Sequence, residues 1–281
     1  MAIVDVLLQL ASYPDPTSEA VIDRAVDWVD LLGARVTGLS FDVRFQNPNN
    51  ALADRLVGLS ATIADEQARI AAVAGGLLDR LEATAGRRGL YNGRLHERCL
   101  GVEAPEVLVE EARLHDLTVI PLPQESDNQA GLAEAVMFGS GRPCLILPEP
   151  VGRPAALDTV VVAWDFSRPA ARAVHDALPV LCRAKRVRIL TVTGEKPIRS
   201  RQTPADLVRH LDRHGIAGAV AEEVAAGGRP IGAVLDAYLK TTGVDLLVMG
   251  AFGHSRMREF VLGGATRGML RTPAVPTFFS H

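Results

Sequence analysis

Short apolar runs alternate along this chain with longer stretches whose apolar residues recur every three to four positions, and the alternation runs through twice. In the second half, the runs near 158–163, 187–192, 219–225, 245–250 and 275–279 predict strands, and the stretches near 168–183, 203–214, 230–241 and 263–272 predict helices. In the first half, strands are expected near 3–9, 35–41, 94–100, 117–121 and 143–147, with helices near 18–32, 62–85, 105–115 and 129–138. Local signals agree. Thr203 precedes Pro204, Pro230 stands at a first helical position, and Ile231, Val234, Leu235, Tyr238 and Leu239 form one apolar stripe at helical spacing. Apolar strands alternating with amphipathic helices are the pattern of βαβ units and of a parallel sheet covered on both faces.

The two series end alike, Arg142-Pro143-Cys144-Leu145-Ile146-Leu147 answering Ala274-Val275-Pro276-Thr277-Phe278-Phe279, so a tandem duplication is the economical explanation. The first unit is expected over 1–147 and the second over 158–281. Between them, residues 148–157 form a linker, whose prolines Pro148, Pro150 and Pro154 and whose Gly152 stop helix and strand alike. A polar excursion from Arg44 to Asn50 has no counterpart in the second half and reads as a surface loop or flap. At 281 residues the chain is long for one α/β domain and suits two of average size.

A formal charge of -3, with no block of basic residues, gives no reason to expect nucleic acid or an anionic membrane as partner. Cys99, Cys144 and Cys182 are scattered, odd in number and without a C-x-x-C, which fits a reducing, cytoplasmic setting. The run Ile3 to Leu8 carries Asp5 and lacks a basic flank, so a strand is expected there and not a signal peptide. No run approaches the roughly 18 uninterrupted apolar residues of a membrane span.

The chemistry concentrates in one segment. Asp245 to Met249 reads as a buried strand that runs into Gly250, with Gly253 beyond it and Gly263-Gly264 opening a helix. Glycines let a backbone approach a ligand closely, and the unpaired amides of a helix's first turn point at an anion with the helix dipole behind them. No G-x-x-x-x-G-K-[ST] occurs, and no G-x-G-x-x-G follows a strand. The bland alternative is that these glycines serve tight turning and helix packing alone.

The spacing Gly250-x2-Gly253-x9-Gly263-Gly264 resembles the phosphate-binding signature of the universal stress protein family, and Val160 to Ser167 resembles that family's first strand, which ends in an Asp at the nucleotide pocket. The resemblance covers residues 158–281 closely and the first half in outline. It implies two tandem open five-stranded parallel-sheet sandwiches of the Rossmann-like, adenine nucleotide alpha hydrolase-like type, with the last strands of the two units paired to make the chain a pseudo-dimer of itself. It also implies a site for ATP, or for ADP or AMP. Ala163, Trp164 and Asp165 would border the adenosine, Val192 would touch the base, and Met249, Gly250 and Phe252 would lead into the phosphate loop. Gly253, Gly263, Gly264, Ala265 and Thr266 would offer amides, and Thr266 its hydroxyl. Mg²⁺ could accompany the phosphates at Asp165.

One departure is chemical. Family binders carry Ser or Thr where this chain has Gly264, which deletes a hydroxyl donor worth roughly 1.5–3 kcal/mol toward a charged group, or about tenfold in affinity. Thr266 and the cations Arg256, Arg258 and Arg267 could compensate in part, although a solvated face suits each arginine as well. Aligning first strands puts Leu10 opposite Asp165, and aligning fourth strands puts Pro121 and Gln124 opposite Gly250 and Gly253. A single nucleotide site is therefore expected, in the second half, with the first half keeping the fold and losing the pocket. His210 and His214 share a helix face at a spacing that can hold zinc, yet no third ligand is visible, and a polar face suits them better. His254 falls inside the phosphate loop, in contact with phosphate or simply with solvent.

Three readings stand side by side: a cytoplasmic stress-response module that binds an adenine nucleotide and signals to an unidentified protein partner, a ligand-free interaction scaffold, and a slow ATP hydrolase using Asp165 and Glu259. Phosphoryl transfer needs a metal-holding side chain and a group to orient water, and no coherent set of these can be read, so an enzyme is not expected. Association of two chains beyond the internal pair is left open.

Overall fold

The computed structural model describes residues 2–45, 59–150, 152–195, 198, 200–251 and 264–281, with the side chains of 59, 60 and 264 outside that description. The first half runs β1 (Asp5–Leu10), α1 (Glu19–Leu32), β2 (Arg35–Arg44), α2 (Leu59–Gly86), β3 (Tyr91–Leu100), α3 (Ala104–Arg113), β4 (Leu117–Pro123), α4 (Asp127–Gly139) and β5 (Cys144–Glu149). The second runs β6 (Thr159–Ala163), α5 (Arg168–Leu181), β7 (Arg186–Thr193), α6 (Pro204–Arg213), β8 (Val220–Ala225), α7 (Ile231–Thr242), β9 (Leu246–Gly250), α8 (Gly264–Arg271) and β10 (Thr277–Ser280). Each half is a doubly wound α/β unit with five parallel strands. The two merge into one ten-stranded sheet of order β3-β2-β1-β4-β5-β10-β9-β6-β7-β8, because β5 and β10 pair antiparallel, Thr277 opposite Ile146 and Phe279 opposite Cys144. The expected pairing of 143–147 with 275–279 is the seam of the molecule.

Strand alternation sorts the core into two layers. Val6, Leu8, Val160, Val162 and Phe278 pack with α1, α2, α5 and α6 on one face. Leu7, Val161, Leu247, Met249 and Phe279 pack with α3, α4, α7 and α8 on the other. Helix ends follow local chemistry: Ser167 Oγ accepts from Ala170 N (3.2 Å) ahead of α5, Asp206 accepts from Thr203 N (2.7 Å) ahead of α6, and Gly33, at φ 65°, closes α1. The halves are also tied by Arg183, whose Nη1 donates to Leu31 O at 2.7 Å. Among the described residues no helix is long and apolar enough to cross a membrane.

A matching pair of carboxylates fixes the register of the repeat. Asp116 Oδ2 accepts from the amides of Val4 and Asp5 (2.9 and 3.1 Å), and Asp245 Oδ2 accepts from Thr159 N (2.8 Å). The return bonds, Asp116 N to Asp5 O and Asp245 N to Thr159 O, match as well. Asp5 therefore corresponds to Thr159, and counting along β1 and β6 makes Gln9 the counterpart of Ala163, Leu10 of Trp164 and Ala11 of Asp165. This corrects the alignment of Leu10 with Asp165 by one residue. The other expected correspondence, Pro121 with Gly250, agrees with the ladder. By the same count Phe41 answers Val192.

Candidate functional site

In the second half, β6, β7 and β9 end side by side, and open parallel sheets bind ligands outside such carboxyl ends. Ala163 and Val192 are half-buried there, Met249 is buried, and all three pack on the α7–α8 face together with Ala265. They form a continuous apolar floor. Asp165 is exposed at the rim, with Oδ1 accepting from Ser167 N at 3.0 Å, so the carboxylate is held in place and still open to a ligand hydroxyl. α8 begins at Gly264, and Thr266 within its first turn is buried at 2% exposure.

The sheet divides the expected residues. Trp164 packs on the α5–α6 face, across the sheet from Ala163, Val192 and Met249. Its indole Nε1 is buried without a hydrogen-bond partner among the described residues, as is the hydroxyl of Thr191 on the neighbouring strand. Phe166, which the sequence did not single out, adopts φ 62° and sets its ring 5.6 Å from that of Trp164. A bulky side chain in left-handed backbone is strained, and such positions gather at functional loops. Gly250 has a local reason to be glycine: a Cβ there would stand 2.5 Å from Ala170 N and from Pro169 C. The start of α5 lies too close for any side chain. Phe252, Gly253 and Gly263 lie outside the described residues, as do His254, Arg256, Arg258 and Glu259 and the part of the polar excursion from 46 to 50.

His210 and His214 are exposed on α6 with ring centroids 4.8 Å apart, and burial and then the neighbouring His214 hold the His210 imidazole below its usual pKa. No group of three or more His, Cys, Asp or Glu side chains suited to a metal ion occurs among the described residues.

The first half departs from expectation. A cleft of about 240 Å³ opens at the corresponding place, outside the ends of β1 and β2 and against the first turn of α4. The pocket is re-lined, not lost: Gln9 stands where the second half has Ala163, and Phe41 where it has Val192. The sequence carried no motif for it. Gln9 and Gln129, which join across 120 positions, belong to no spaced pattern.

The sequence profile of the universal stress protein family matches residues 156–279. A universal stress protein of Synechocystis sp. is 46% identical over 39 residues, a match that spans 14% of this chain and 14% of the relative's length. The crystal structure of a universal stress protein from Archaeoglobus fulgidus superposes with a TM-score of 0.64 at 17% identity, covering 98% of this chain and 97% of that one. A functionally unknown protein of Pseudomonas aeruginosa gives 0.56 at 12% identity, covering 99% and 92%. At such identities the superpositions speak to fold, and the profile speaks to family. Residues 156–279 thus form a universal stress protein domain, and the first half shares its fold.

Proposed function

We propose that the C-terminal half binds an adenine nucleotide, ATP foremost and ADP or AMP by the same contacts, and that the bound state regulates a protein partner. The observation that carries this reading is the pairing of an apolar floor, Ala163 with Val192 and Met249, with the exposed carboxylate of Asp165 at one strand mouth. A flat base suits the floor, sugar hydroxyls suit the carboxylate, and the amides at the start of α8 suit phosphates, with or without Mg²⁺. The role proposed is regulatory, since the sequence offers no coherent set of metal-holding and water-orienting groups for phosphoryl transfer. A cytoplasmic setting is part of this proposal.

A second reading, an interaction scaffold without nucleotide, is favoured by two facts. Close packing on Pro169 and Ala170 accounts for Gly250 without any ligand, and Gly264 lacks the hydroxyl that family binders use. Calorimetric titration with ATP separates the two. One site per chain, weakened about tenfold or more by Asp165→Ala, is expected of the binder. No heat at millimolar ATP leaves the scaffold. ATP turnover that disappears in Asp165→Ala would instead establish slow hydrolysis.

A further inference from the structure

The turn between β6 and α5 carries a residue that its backbone does not favour. Phe166 sits at φ 62°, a region that glycine and asparagine enter readily and that costs a bulky side chain free energy. The chain bends there from β6 into the Ser167 cap of α5, whose own backbone is extended at φ -80° and ψ 161°. A glycine would make the same bend without strain, so a phenyl ring at this position calls for a reason in its contacts.

Those contacts reach Asp165. The ring meets the Trp164 indole at 5.6 Å and 60°, and Trp164 is itself anchored. Its N–H donates to Leu190 O at 2.9 Å, which carries the ladder one residue past β6, and its indole packs on the α5–α6 face. Side chains alternate along an extended segment, so Trp164 on that face puts Asp165 on the face of Ala163, at the apolar floor. Asp165 Oδ1 accepts from Ser167 N at 3.0 Å, a bond that spans Phe166 and depends on its backbone conformation. Among the described residues, Ser167 N is the one group bonded to this exposed carboxylate. We propose that Phe166 is a positioning residue: its ring, seated on Trp164, keeps the turn left-handed and so aims the Asp165 carboxylate at the hydroxyls of a bound sugar. The sugar rests on the nucleotide reading above; the hold on the carboxylate does not.

A double-mutant cycle on the full chain tests this. Phe166→Gly frees the backbone and should weaken ATP about tenfold by calorimetry, and Phe166→Tyr, which keeps the ring, should lose much less. In an Asp165→Ala background the same Phe166→Gly substitution should change affinity by less than about twofold, because the ring acts through that carboxylate. A ring that served packing alone would move stability and not this difference, and equal losses in the two backgrounds overturn the proposal. Hydrogen exchange on the ligand-free chain gives a second reading. The protection factor of the Ser167 amide should fall about tenfold in Phe166→Gly while the amides of β6 keep theirs. Unchanged protection overturns the proposal whatever happens to ATP. If Phe166→Gly does not fold, Phe166→Leu takes its place in both measurements. If the unaltered chain binds no ATP, the nucleotide reading falls, and Ser167 exchange alone decides whether Phe166 holds Asp165.

Discussion

Leu145 and Phe278 face each other across the antiparallel seam between β5 and β10, and each is the other's counterpart in the internal repeat. The ladders show why. Thr118 pairs with Cys144, and its counterpart Leu247 pairs with Thr277, so one step on Leu145 corresponds to Phe278. A pseudo-twofold axis therefore passes through this rung, normal to the sheet. It keeps α1, α2, α5 and α6 on one face and turns the carboxyl ends of the two strand sets in opposite directions.

The same self-matching predicts how the second half behaves alone. Freed of β5, the edge of β10 presents an unpaired row of backbone groups centred on Phe278, complementary to itself. Residues 156–281 expressed separately should run at twice their monomer mass by light scattering. A monomer would show that β5 supplies something β10 cannot.

Gly250→Ala tests the packing account of that glycine. With the added methyl 2.5 Å from the backbone of Pro169 and Ala170, β9 and α5 must separate, at about 1–3 kcal/mol. Denaturant unfolding without ligand should show the loss. Unchanged stability would mean that this junction yields easily and that the glycine serves a ligand.

Two substitutions should move ATP affinity in opposite directions with little effect on stability. Gly264→Ser restores a hydroxyl at the start of α8 and should tighten binding about tenfold, and Asp165→Asn should weaken it about as much. Both are read by calorimetry, with melting curves as control, since Asp165 is exposed and its substitution should leave the melting temperature within a degree or so. If neither changes affinity, the nucleotide sits elsewhere.

The thiols should divide by burial. Cys144 is fully buried in the seam, and burial pushes its pKa well above the usual thiol value; burial, and then the carboxylates of Glu103, Glu97 and Asp42, push Cys99 up too. A raised pKa keeps a thiol protonated and inert at pH 8. The exposed Cys182 should react quickly with a disulfide reagent and the other two on unfolding, as a stopped titration with and without denaturant would reveal.

The sequence disclosed the elements well because burial on both faces leaves uninterrupted apolar runs, as in Val160–Ala163 and Leu246–Met249. Register was harder. The run Val6–Leu10 looks the same when shifted by one, and what sets it is the distant Asp116 carboxylate gripping the amides of Val4 and Asp5. Asp165 and Gly250, which belong to spaced motifs, do stand at neighbouring strand ends, although periodicity did not reveal that Trp164 and Val192 lie on opposite faces. Gln129 stayed hidden because its partners, Gln9 and Pro121, are brought to it only by folding.

α8 has a position that no other described helix shares. It starts at Gly264, where the proposed phosphates would rest, and ends at Arg271, whose carbonyl accepts from Glu125 N at 3.1 Å just ahead of α4 and the first-half cleft. Eight residues of helix reach about 12 Å. Two mouths that open away from each other are thus braced by a single short strut, so whatever tugs on one end of it pulls against the footing of the other.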